Sequence, residues 1–92
     1  MIRLTKKLDS NSFYAEDSEV QHGDKGYMGK AIDKLAKYEN IYDDLILKQS
    51  QISKELEKLR LEGKTKSVKF KQLLTNKITN NNILILFESY GL

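Results

Sequence analysis

Ten positions, Met28, Ala31, Leu35, Tyr38, Tyr42, Leu45, Gln49, Ile52, Leu56 and Leu59, step through the middle of this chain by three and four residues in alternation, with Gln49 the one polar exception. That spacing holds for more than four heptads and places every one of these side chains on a single stripe of an α-helix. Asp33 precedes Lys37, and Asp44 precedes Lys48, by four residues, the favourable order for ion pairs on a helix surface. Gly63, just after Lys58 and Arg60, marks the stop. A helix from about 29 to 62 is about 50 Å long. A 92-residue chain cannot wrap it completely. Part of the seam must therefore meet another element or another copy, and the expected assembly is a homodimer through this helix. Gln49 is the kind of polar seam residue that fixes register in such a pair.

Ile41 and Ile46 widen the stripe beside Tyr42 and Leu45, which is where the C-terminal region is expected to fold back. Thr65 or Ser67 can cap a second helix with Phe70, Leu73, Leu74 and Ile78 on its buried face. The run Asn80-Asn81-Asn82 is read as a break, with Asn82 capping a last short helix through Ile83–Phe87. Gly91 would end it. Five consecutive apolar residues fit a buried strand nearly as well, but the Glu88–Gly91 stretch favours a helix, and either way burial is expected.

Residues 1–28 follow a different pattern. Ile2 and Leu4 alternate with Arg3 and Thr5, as in a short half-buried strand. With Asp17-Ser18 as a turn, Ala15 faces Val20 and Phe13 faces His22, so that all four share one side of a hairpin. Gly23, Gly26 and Gly29 read as the loop that leads into the helix. The expected fold is mainly α with a small N-terminal β element (α+β). A long coiled-coil-like helix carries C-terminal helices folded back on it. The chain reads as one domain, with a β-hairpin region at 1–28, the long helix at 29–62 and a helical region at 64–92.

The chain has no cysteine, which removes disulfides, iron–sulfur clusters, thiolate zinc sites and thiol nucleophiles together. His22 is the one imidazole available as a base, and no serine near it sits in a nucleophile turn, so an enzyme is not expected. His22 and Asp24, with Glu16, Asp17 and Glu19 at the same end of the expected hairpin, are the side chains that could hold a divalent metal such as zinc. One histidine is a sparse donor set for such a site, so no cofactor is expected. The glycines of 23–29 match no phosphate-binding loop. Met1–Thr5 has no apolar core of a signal peptide, and no apolar run reaches the length of a membrane span. A cytoplasmic protein without membrane contact is expected.

Charge is uneven. Asp9 to Asp44 holds nine acidic residues against four lysines, whereas Lys58 to Lys77 holds seven basic residues against Glu62 alone. Lys64, Lys66, Lys69 and Lys71, around Phe70, are the expected partner-binding surface, since a local positive field draws an acidic partner. Lysines beside an aromatic also suit nucleic acid, but Phe70 starts a helix stripe and only two arginines are present to read bases.

The stretches from Ala31 to Leu45, Glu55–Arg60, Gly63–Lys71 and Leu86–Leu92 resemble small accessory proteins carried by phages, prophages and conjugative elements of low-GC Gram-positive bacteria. Some short proteins of this kind are similar to anti-CRISPR inhibitors, which bind an RNA-guided effector nuclease. The resemblance implies a non-enzymatic inhibitor of a host defence nuclease, a type II effector, acting on the nuclease or its protein–RNA complex. Many such inhibitors mimic DNA with an acidic surface, whereas this chain is net basic, so occlusion or locking of a protein surface is the expected mode. The alternative is a small nucleic-acid-binding accessory protein of phage replication or regulation.

Overall fold

The computed structural model describes residues 1–92. The order is β1 (Lys6–Lys7), β2 (Phe13–Tyr14), a single 3-10 turn (Asp17–Glu19), β3 (Gln21–Gly23), β4 (Gly26–Met28), α1 (Lys30–Leu61) and α2 (Val68–Ser89). The fold is mainly α with a small β element, as the sequence implies. The chain divides into two compact units, Met1–Asn40 and Ile41–Leu92, with the boundary inside α1.

In the first unit, two minimal antiparallel ladders replace the expected hairpin. Lys6 faces Tyr14 and Lys7 faces Phe13. Gln21 faces Met28, His22 faces Tyr27 and Gly23 faces Gly26. The Ala15–Val20 and Phe13–His22 pairings do not form, because Asp17–Glu19 closes into a 3-10 turn through the Glu19 N–H to the Glu16 carbonyl at 2.9 Å. The first ladder turns instead through Asp9, whose carboxylate accepts the Asn11 N–H at 2.8 Å. That bond holds the Asp9 carboxyl below its ordinary range. The second ladder turns through Asp24-Lys25, so the glycine stretch is a hairpin and not a connector. Residues 1–5 are not a strand. Gly29 enters α1 at φ +129°, and a β-carbon there would lie 2.5 Å from the Glu19 carbonyl oxygen. Only glycine lets that backbone approach this closely.

The second unit is an antiparallel helical hairpin. α1 ends where the Lys64 N–H reaches the Leu59 carbonyl (2.8 Å) and the Gly63 N–H reaches Arg60 (3.0 Å), with Gly63 at φ +71°. Ser67 caps α2, its hydroxyl accepting from the Phe70 N–H at 3.1 Å. The Asn80–Asn82 run does not break α2, which continues as one helix to Ser89. The reason lies in the packing. Phe70, Leu73, Lys77, Asn80, Leu84 and Phe87 step by three and four and form the covered stripe of α2, so Asn80 sits inside a contact that outweighs its weak helix propensity. Tyr42 stacks on Phe87 with centroids 6.4 Å apart. Leu56, only 1% exposed, packs with Leu59 and Phe70 between the half-buried Ile52 and Leu73. Leu45 and Leu84 are buried as well. Leu74 and Ile78, expected on the buried face, are exposed, as are Ile85 and Leu86 of the apolar run expected to be buried.

Candidate interaction surfaces

The lysine-rich segment spans the turn between α1 and α2 and the first turn of α2. Two of its four lysines are held within the chain. Lys64 Nζ lies 2.9 Å from the Glu62 carboxylate and Lys69 Nζ lies 2.8 Å from that of Glu55. Each pairing holds its glutamate below the ordinary carboxylate range, first through the hydrogen bond and then through charge. Arg60 lies 3.6 Å from the Glu57 carboxylate and 5.7 Å over the Phe70 ring. Lys66 and Lys71 are exposed, and no ion pair within the chain engages them. The positive field at this end of the hairpin therefore comes from fewer groups than the sequence suggests, chiefly Lys58, Lys66 and Lys71. Phe70 is buried and cannot offer its face to a base.

The seam is filled unevenly. From Tyr42 to Leu59 it is covered by α2 of the same chain, and Gln49 spends its amide there, Nε2 donating to the Lys77 carbonyl at 3.0 Å. That stretch is therefore not open to a second long helix. Leu35 stays 54% exposed. It lies in the first unit, at the wall of a pocket of about 420 Å³ shared with Arg3, Leu4, Thr5, Lys34 and Tyr38. There Lys34 Nζ donates to the Ile2 carbonyl and the Tyr38 hydroxyl meets Met1 Sδ at 3.3 Å. No motif in the sequence signals this pocket, because its walls come from residues about 30 positions apart.

His22 sits edge-on to Tyr27 across the second ladder, ring centroids 5.1 Å apart at 86°. Asp24 follows in the adjacent turn. Nowhere do three or more His, Asp or Glu side chains converge. Lys6 is ion-paired with Glu16, which takes one carboxylate from the acidic set named with His22. No helix is long and apolar enough to cross a membrane.

No family model, curated protein or solved structure matches this chain.

Proposed function

We propose that this is a non-enzymatic binding protein of the phage and mobile-element kind, an inhibitor that engages a host defence nuclease of the type II CRISPR class through the turn end of its helical hairpin. The observation that carries the reading is the set of exposed cations on that turn, with Lys66 and Lys71 free of any ion pair within the chain. A rigid helical hairpin displaying unpaired lysines suits an acidic protein lobe or the phosphates of a bound guide RNA. The nuclease itself comes from the resemblance of the sequence to phage accessory proteins. The alternative, direct nucleic-acid binding, loses support with Phe70 buried, since lysines without a stacking face provide only salt-sensitive phosphate affinity.

The test compares DNA cleavage by a purified type II effector with wild type and with the four-lysine reversal at Lys64, Lys66, Lys69 and Lys71 to glutamate, at matched concentration and salt. Wild type is expected to inhibit, and the reversal to lose at least about tenfold in potency, equivalent to about 1.4 kcal/mol of binding. Equal inhibition by both removes this surface from the mechanism. A wild type that leaves cleavage untouched but shifts naked DNA or RNA in a salt-dependent way moves the function to the alternative.

A further inference from the structure

α2 carries a second stripe. Lys71, Leu74, Ile78, Asn81, Ile85 and Glu88 also step by three and four, about a quarter turn around the helix from the stripe that packs on α1. Its apolar members keep a large share of their surface in solvent: Leu74 is 38%, Ile78 56% and Ile85 54% exposed. Neither Lys71 nor Glu88 has an ion-pair partner. Ile46 of α1, also exposed, stands at the flanking seam position on the same side. On the opposite flank the Glu55–Lys69 pair bridges the two helices near the turn, while Ile41 and Leu86 stay exposed at the far end.

We infer that a second copy of this chain docks here, α2 against α2, antiparallel about a two-fold axis. The charged ends of the stripe and its Leu74 and Ile85 positions are complementary to their own reverse. Turned end for end, Leu74 of one copy meets Ile85 of the other, Ile78 meets Asn81, and Lys71 meets Glu88, each contact occurring twice as a two-fold interface requires. Read in parallel, Lys71 would face Lys71 and Glu88 would face Glu88. The two Asn81 side chains lie about one helical turn apart at the centre, where a polar group fixes register.

The surface is a different one from the long-helix seam, whose Tyr42–Leu59 stretch is already covered.

In the dimer Lys71 is paired, which leaves Lys58 and Lys66 as the free cations of the turn; the test uses mass and cross-linking, so it stands or falls independently of any nuclease. Light scattering at high micromolar concentration is expected to give twice the chain mass for wild type and the chain mass for Ile78→Glu, with helical circular dichroism unchanged. Lys71→Glu and Glu88→Lys should each weaken the dimer by about fivefold, and the double exchange should restore it. The native chain has no cysteine, so Leu74→Cys and Ile85→Cys can be made singly and mixed. Oxidation should join unlike chains only, since like positions in this register are about 16 Å apart, beyond disulfide reach. A monomeric wild type, or cross-links between like positions, overturns the proposal. The monomer result would leave the stripe to a different protein.

Discussion

Gln49 Nε2 donates to the Lys77 carbonyl across the helical hairpin, while its Oε1 is buried without a partner. Half of the amide is thus satisfied and half is desolvated. An unpaired buried acceptor costs about 1–3 kcal/mol, and one neutral hydrogen bond contributes about 1. Gln49→Leu is therefore expected to raise stability by about 1 kcal/mol, read as a higher urea midpoint with an unchanged slope. A lower midpoint would mean that the amide bond outweighs the orphaned oxygen.

The covered and uncovered parts of the seam make opposite predictions for the same substitution. Leu56 is buried among Leu59 and Phe70, so Leu56→Ala is expected to cost about 3–5 kcal/mol through lost transfer energy and a residual cavity. Leu35 keeps half its surface in solvent, and Leu35→Ala is expected to cost less than about 1 kcal/mol. Equal losses would place Leu35 in a packed contact that the structure lacks.

The contrast shows what was legible in the sequence. Helical spacing identified α1 and Gly63 its end; of Thr65 and Ser67 it is Ser67 that caps α2, and of the seam expected from Met28 to Leu59 only Tyr42 to Leu59 is packed. The spacing placed Phe70 and Leu73 on the inward face of α2 correctly but put Leu74 and Ile78 there as well, because Lys77 and Asn80 occupy covered positions where a binary pattern expects apolar residues. Lysine can do so by laying its methylene stem along the contact. The asparagine run looked like a break for the same reason. In the N-terminal region each ladder has only two or three pairs, so face alternation had too few residues to fix register. The partner surface was legible as composition only, since which lysines are neutralised depends on Glu55 and Glu62 lying within reach.

Two glycines at positive φ separate steric from torsional cost. At Gly63, φ +71°, an added methyl meets nothing within 4 Å, so Gly63→Ala is expected to cost about 1 kcal/mol from the left-handed backbone alone. At Gly29, φ +129°, the methyl would collide with the Glu19 carbonyl at 2.5 Å, and the strain is joined by a backbone clash. Gly29→Ala is expected to cost at least about 2 kcal/mol. Hydrogen exchange should show lost protection in the Gln21–Met28 ladder with little change in α2. Unchanged protection in that ladder would mean the chain entering α1 can move aside freely.

The Glu55–Lys69 pair gives stability a dependence on pH at both ends of the range. The Lys69 ammonium, hydrogen-bonded at 2.8 Å, holds the Glu55 carboxyl below its ordinary 4.5. A carboxylate depressed in the folded state adds stability that is fully present above its unfolded value and lost as pH falls through the folded one. Glu62, held by Lys64, and Asp9, held by the Asn11 N–H, shift the same way and add to the acid limb. Lys69 is raised above 10.5 by the same carboxylate, so its contribution is full below that value and lost as pH rises through the higher folded one. Urea midpoints should therefore form a plateau across the neutral range, fall below pH about 4.5 and fall again above about 10.5. All these groups are exposed, so the amplitude is small and shrinks with salt. Glu55→Gln should lower the plateau slightly and flatten part of both limbs, so that wild type and variant converge in acid. Stability that rises on acidification below pH about 4.5 would contradict the shared direction of the three carboxyl shifts.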